Sequence, residues 1–176
     1  MSESALVRAV RDNIATSALF LDRVVAVEPD ETAPSIAADL FVICTYGGVR
    51  AGPAHEPSGP IVDKLYDINV SIALRSPKVP RDRQGKLWIG LTSSFETFGE
   101  EIESLVDFNY DVTTAASALI LAETGSAFGF QEPLKIADWG PIRDAPPEIF
   151  AGTSAASPAA KIRQLQFRGA RRTVVR

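Results

Sequence analysis

One segment of the chain alternates between apolar and small or polar side chains with a strict period of two. This segment is Leu65–Leu74, and every second side chain in it is large and apolar: Tyr66, Ile68, Val70, Ile72 and Leu74. A period of two places those side chains on one face of a β-strand. The pattern therefore predicts a strand with one buried face, which requires further strands beside it and a second layer above it.

A second strand is predicted just before this one. Residues 37–46 are rich in apolar and β-branched side chains and end at Gly47-Gly48. Because the two strands are consecutive, we expect them to pair as an antiparallel hairpin across the Gly/Pro-rich residues 47–64. Cys44 is the single cysteine and lies in the apolar part of this strand, so we expect a buried structural thiol and no redox role.

Three helices are predicted from apolar residues that recur every three or four positions. They cover Glu3–Leu21, Phe95–Val106 and Val112–Glu123. Ser93 and Glu96 have the spacing of a capping box, which predicts a helix start near Ser94. Asp111 is the predicted N-cap of the third helix.

The C-terminal third predicts two more strands. Phe128–Ile136 contains Pro133, which indicates an edge or bulged strand. Residues 139–160 form a long irregular excursion, and the final strand is predicted over Lys161–Phe167. The expected fold is one α+β domain over residues 1–176, with a mainly antiparallel sheet of about four strands and helices packed on one face.

The residue types needed for catalysis are scarce. His55 is the only histidine and lies in a loop rich in glycine and proline, and no zinc-binding motif is present. There are two carboxylate pairs, Asp63 with Asp67 and Asp107 with Asp111. We expect these carboxylates to be solvated or to cap helix ends. We therefore expect no catalytic residues, no cofactor and no metal. An enzyme would have to use a carboxylate mechanism around Asp63, Asp67 or Asp107.

No apolar stretch approaches the roughly 20 residues that a membrane-spanning helix needs. The N-terminus also lacks the basic start and apolar run of a signal peptide. We therefore expect synthesis in the cytoplasm and no membrane partner.

Charge is distributed unevenly along the chain. Residues 149–176 carry six basic side chains and no carboxylate, whereas the preceding residues hold 12 basic and all 22 acidic side chains. The acidic pI near 5.1 argues against a dedicated duplex-DNA binder, so acidic protein surfaces, including other copies of the chain, are the expected partners. The predicted interface residues belong to two basic clusters, namely Arg81, Asp82 and Arg83, and Arg168, Arg171, Arg172 and Arg176.

Three segments, together with the order of the elements, resemble the tail terminator and neck proteins of long-tailed bacteriophages. They are residues 76–85, Phe128–Leu134 and Gln166–Arg172. The resemblance implies a virion subunit, made in the host bacterial cytoplasm, that forms a hexameric ring and stops growth of the tail tube. It implies contacts with tail-tube and head-connector proteins and passage of DNA through the ring without sequence readout. It supplies no catalytic residues.

A different class of function stays open from the sequence alone. A monomeric nucleic-acid or regulatory binding module could use residues 168–176 as a basic arm. Its affinity for nucleic acid would then fall steeply as the salt concentration rises.

Overall fold

The computed structural model describes residues 2–27, 40–75, 89–124, 132–146 and 160–174. Over these ranges the chain is an α+β fold with three helices and a six-stranded mixed sheet, which confirms the predicted class but exceeds the predicted number of about four strands. The helices are α1 (Ser2–Ile14), α2 (Ile89–Val106) and α3 (Tyr110–Thr124). The strands are β1 (Val24–Val27), β2 (Leu40–Ala51), β3 (Ile61–Arg75), β4 (Glu132–Trp139), β5 (Arg143–Asp144) and β6 (Ala160–Val174).

The sheet has the order β1-β2-β3-β6-β4, and β5 pairs with β6 further along the same edge as β4. β1 runs parallel to β2, whereas the other four pairings are antiparallel. The predicted hairpin is confirmed as β2 and β3, but both strands are longer than predicted and only residues 52–60 connect them. A bulge between Tyr46 and Gly48 interrupts the hairpin, and Gly48 adopts a φ of 122° that favours glycine.

The apolar face of β3 lies against the helices, as its alternation predicts. Its core side chains and those of the neighbouring strands pack with residues from all three helices. Burying one large apolar side chain contributes roughly 1.5–3 kcal/mol, so this contact dominates the stability of the fold. Among the described residues, the largest fully buried side chains are Leu6, Ile14, Phe20, Phe41, Ile68, Ile72, Phe95, Ile102, Leu134, Leu165 and Phe167.

The other face of the sheet is different. At one end it carries a small buried cluster, which among the described residues comprises Val27, Phe41, Ile43, Ala73 and Ile162. Each of these residues belongs to a strand, so no described helix packs on this face. Toward the β2–β3 loop the same face becomes polar and charged.

The final strand is twice as long as predicted. β6 continues through residues 168–174, where the sequence shows arginines instead of an apolar alternation. The 15-residue β3 pairs with β6 along its whole length, from Ile61 opposite Val174 to Arg75 opposite Ala160. The prediction that the arginine-rich segment follows the last strand is therefore wrong for residues 168–174.

Several other boundaries also differ. The first helix ends at Ile14 instead of Leu21, and turns follow in which Thr16 Oγ1 donates a hydrogen bond to the Asn13 carbonyl. α2 begins at Ile89 and not near Ser94, and β1 was not predicted.

The prediction that the strand containing Pro133 is an edge or bulged strand is confirmed. β4 ends the sheet order, and its register with β6 shifts twice. The segments 128–131 and 147–159 of the predicted strand and excursion lie outside the described residues. No helix in the described ranges is long and apolar enough to cross a membrane.

Candidate subunit interface

The two helices α2 and α3 form an acidic layer. Residues 89–124 contain seven carboxylates and no lysine or arginine. Four of the carboxylates are spaced by four, three and four residues, which places them along one side of α2 and the first residue after it: Glu96, Glu100, Glu103 and Asp107. We call these four residues the acidic stripe. No described lysine or arginine forms an ion pair with any of them.

The acidic stripe is electrostatically strained. Burial raises the pKa of Glu103, and the nearby charges of Asp107 and Glu100 raise this pKa further. Glu96 and Glu100 are exposed to solvent. A cationic surface placed over the stripe would therefore relieve repulsion between like charges as well as form new ion pairs.

The opposite face of the sheet carries a row of positive charge around one carboxylate. Asp67 on β3 lies opposite Arg168 on β6, and Arg168 in turn lies opposite Lys135 on β4. Arg168 Nε donates a 2.7 Å hydrogen bond to Asp67 Oδ1, and its Nη2 lies 3.4 Å from Oδ2. Arg50 Nε lies 3.9 Å from Asp67 Oδ2. We call Arg50, Lys135 and Arg168 the cationic row.

Asp67 is nearly inaccessible to solvent, whereas two of the three cations are exposed. Burial raises the pKa of Asp67, and the positive charge of Arg50 acts in the opposite direction. The paired guanidinium of Arg168 neutralises this carboxylate in place. Arg50 and Lys135 consequently place two exposed cations on this face of the sheet, where Asp138 also exposes a carboxylate.

The other basic side chains of β6 interact within the chain. Lys161 forms an ion pair with Asp144 on β5. The guanidinium of Arg163 lies 4.7 Å from the ring centre of Trp139, and its Nε donates a 3.1 Å hydrogen bond to the Gly140 carbonyl. The cationic character of the final strand is therefore partly used to fasten β4 and β5 to the sheet.

The predicted interface residues are thus divided by the structure. Arg168 lies in the cationic row, but its guanidinium is bound to Asp67 of the same chain. Arg171 is half-buried in β6 opposite Lys64, and Arg172 pairs with Asp63 through the strand register. The remaining predicted residues lie outside the described ranges: Arg81, Asp82, Arg83 and Arg176.

The sequence prediction missed Arg50 and Lys135. Each stands apart from the basic clusters in the sequence, and each joins the cationic row only through strand pairing. Arg168 is separated from Asp67 by 101 positions. The sign of the charges could be read from the sequence, but their arrangement depends on the strand order.

The carboxylates considered for catalysis form hydrogen bonds that hold parts of the fold together. Asp63 and Asp67 are buried, so the expectation that this pair is solvated is wrong, and Asp63 Oδ2 accepts a 3.1 Å hydrogen bond from the Ala54 amide in the β2–β3 loop. Asp107 Oδ1 accepts a 2.7 Å hydrogen bond from the Ile136 amide and so joins α2 to β4. Within the described ranges, no group of three or more histidine, cysteine, aspartate and glutamate side chains is arranged to hold a metal ion. His55 is half-buried in the β2–β3 loop.

Cys44 is buried, as predicted. Burial raises the pKa of its thiol to about 12, and the weaker influence of Arg11 opposes this shift. The thiol is therefore neutral near pH 7. Because the thiolate is the reactive form, the folded protein shields this cysteine both sterically and chemically.

The corner between α2 and α3 is held against β4. The Phe108 amide donates a 2.7 Å hydrogen bond to the Leu134 carbonyl, beside the bond between Ile136 and Asp107. Asn109 Oδ1 accepts a 2.9 Å bond from the Asp111 amide. Asn109 therefore has the capping role that was predicted for Asp111, which is part of α3.

A polar recess lies on the open sheet face next to the cationic row. It has a volume of about 230 Å³ and is lined by Asn69, Asp138, Gly140, Pro141, Gln164 and Gln166. Gln166 pairs with both Asn69 and Asp138 through the strand register. The pair of Asp67 and Arg168 is two residues further along β3 and β6 than the pair of Asn69 and Gln166, on the same face of the sheet.

Comparisons with known proteins add no functional information. No protein-family model matches the chain, and no curated protein sequence is similar to it. One solved structure, which carries no descriptive name, aligns with this protein over 93% of the length of each chain. The sequence identity is 12% and the TM-score is 0.41.

Proposed function

We propose that the protein is a structural subunit that joins copies of itself into a ring. In this proposal the ring belongs to the neck of a long-tailed bacteriophage, terminates the tail tube and connects it to the head. The ring is hexameric, it contacts tail-tube and head-connector proteins, and DNA passes through it without being read. The resemblance of the sequence segments to tail terminator and neck proteins supports this assignment to the virion.

One observation carries the proposal: opposite charges occupy opposite layers of the fold. The acidic stripe lies on α2, and the cationic row lies on the sheet face that no described helix covers. When the helix layer of one copy meets the open sheet face of the next, each copy uses two different surfaces. Such a heterologous contact generates a ring when the rotation between copies closes.

Electrostatics supports this mode of assembly. Complementary surfaces steer the approach of two copies and fix their orientation. A contact between two acidic helix layers would instead bring like charges together, so a symmetric dimer through that layer is disfavoured. The same charge pattern favours head-to-tail addition of identical subunits.

The alternative, binding of nucleic acid by a basic arm, has less support. Residues 168–174 belong to β6, and Arg168 is bonded to Asp67. They do not form an arm beyond the last strand. No described feature favours this second function over the ring.

Sedimentation velocity of the wild-type chain over a range of concentrations, with negative-stain imaging of the heaviest species, tests the proposal. We expect particles of one closed size in low salt. We expect them to dissociate in high salt, because the distance over which charges interact, the Debye length, falls to roughly 3 Å at 1 M. A chain that stays monomeric at every concentration and yields no rings would contradict it. Measuring binding to a DNA fragment in the same buffers separates the ring from the alternative.

A further inference from the structure

Two aromatic side chains project from the corner between α2 and α3. Phe108 is 56% exposed and Tyr110 is 70% exposed, which is the largest exposure among the large hydrophobic residues that the structure describes. Phe108 also has a φ of 50°, an uncommon backbone conformation for a bulky residue. Exposed aromatic residues of this kind are typical anchors of protein interfaces.

The corner is rigid even though its aromatic rings are exposed. The backbone of Phe108 is bonded to Leu134, and Asn109 Nδ2 donates a 2.8 Å bond to the Leu105 carbonyl. The side chain of Asn13 donates to the same carbonyl from α1. These bonds fix the direction of the corner before any partner binds, which reduces the entropic cost of binding.

The corner has an acidic border. Asp107 and Asp111 flank Phe108 and Tyr110 in the sequence, and Glu103 lies one helical turn before Asp107. A surface that receives this corner needs a recess for an aromatic ring and positive charge beside that recess. The polar recess meets this requirement, because Gln166 and Arg168 are two residues apart on the same face of β6 and Lys135 is the strand partner of Arg168.

The recess also offers hydrogen-bonding groups without partners. Neither the carboxylate of Asp138 nor the side-chain amides of Asn69 and Gln166 bond to another described side chain. These groups can bond to a ring that carries a hydrogen-bond donor at its tip. Tyrosine has this character, since its phenol donates a hydrogen bond at the end of an apolar ring.

We propose that Tyr110 of one copy inserts into the polar recess of the next copy and donates a hydrogen bond from its hydroxyl to Asp138. The acidic border of the corner then lies beside Arg168 and Lys135 of the receiving copy. This inference rests on the proposed ring and names the side chain that anchors the contact between subunits. It also gives a role to the strained corner.

Disulfide trapping between two single-cysteine variants tests the contact. Tyr110→Cys is mixed with Pro141→Cys, which places a thiol at the exposed rim of the recess, under mild oxidation, and the two chains carry tags of different mass. The control mixes Tyr110→Cys with Ser58→Cys, which places a thiol in the exposed β2–β3 loop. Cys44 stays unchanged because it is buried. A disulfide requires Cα atoms about 4.4–6.8 Å apart, so only a close contact is trapped.

We expect the mixed disulfide to form with Pro141→Cys and not with Ser58→Cys. We also expect Tyr110→Ser, which keeps the helix start, to raise the concentration needed for assembly by at least about tenfold. If the wild-type chain assembles but both pairs crosslink equally, or neither does, the inference is wrong and the ring stands. If the wild-type chain does not assemble, both the ring and the inference fail.

Discussion

The α2–α3 segment and the strand β6 are opposite in charge, and they differ in how many of their charged side chains are paired within the chain. Residues 89–124 have seven carboxylates and no cation, whereas β6 has five cations and no carboxylate. Inside the fold, Arg168 and Lys161 are paired with carboxylates and Arg163 stacks on Trp139. The acidic stripe has no described ion pair.

This difference shows that the net charge of a segment does not determine the charge that it exposes at the protein surface. The basic strand lies inside the sheet, so its charges mainly connect neighbouring strands. The acidic helices lie on the outside, where Glu96 and Glu100 face solvent and Glu103 is repelled by Glu100 and Asp107. The positive surface of the molecule depends as much on Arg50 and Lys135 as on the basic end that dominates the sequence.

The largest expected effect comes from removing the internal partner of Asp67. Arg168→Ala leaves a nearly buried carboxylate without its bidentate hydrogen bonds, and we expect the free energy of unfolding to fall by about 2 kcal/mol. Arg50→Ala is the matched control. Its side chain is 52% exposed and lies 3.9 Å from the same carboxylate, so we expect a loss below about 0.5 kcal/mol. Urea unfolding measures both, and equal losses would remove the distinction between internal and surface cations.

A smaller loss is expected where α2 rests on the sheet. A Cβ at Gly99 would lie 2.5 Å from Trp139 Cη2, and the Trp139 ring is itself held by Arg163. Gly99→Ala should therefore destabilise the fold by about 1 kcal/mol, despite the better helix propensity of alanine. Thr97→Ala, at an exposed position of the same helix, serves as control. Thermal unfolding that shows Gly99→Ala to be stabilising would contradict this tight contact.

The acidic stripe should respond in the opposite direction to the cationic row. Glu103→Gln removes repulsion with Glu100 and Asp107, so we expect the free energy of unfolding to rise by about 0.3 kcal/mol. Glu56→Gln, in the exposed β2–β3 loop, changes the net charge equally without this relief. Destabilisation by Glu103→Gln would show that the stripe is paired within the monomer.

The pH dependence of the same variant gives the smallest effect. The folded state raises the pKa of Glu103 above its ordinary value of 4.5, so the native chain holds this proton more tightly than the unfolded chain. Stability from this group is therefore lost as pH rises from the ordinary pKa through the raised one. The difference in unfolding free energy between Glu103→Gln and the wild type should grow over this interval and then level off. A difference that is constant with pH would contradict the raised pKa.

Much of the fold could be predicted from local patterns. The alternation in Leu65–Leu74 identified the correct buried face, and Pro133 identified the edge strand. The end of β6 could not be predicted, because its arginines face both sides of the sheet and hide the period of two. β1 has only four residues and is a strand through its parallel pairing with β2, which no local pattern shows.

The candidate interface could be predicted only in outline. Counting charges divides the sequence into an acidic part before residue 149 and a basic part after it. The bond between Arg168 and Asp67 joins two strands that are distant in sequence, so a count could not show that this cation is used internally. Asn109 was overlooked as a cap because Asp111 has the same chemistry two residues later.

The central claim is that the acidic helices of one copy contact the cationic sheet face of the next. A charge-reversal exchange tests it most directly, with Glu100→Lys/Glu103→Lys in one variant and Arg50→Glu/Lys135→Glu in the other. A third variant, Asp12→Lys/Glu56→Lys, changes the charge elsewhere and serves as control.

Sedimentation velocity of each variant alone and of the equimolar mixture is the measurement. The account predicts that both reversed variants stay monomeric alone, that the control assembles like the wild type, and that the mixture forms closed particles because unlike faces meet again. A mixture that stays monomeric while the wild-type chain assembles would contradict the contact.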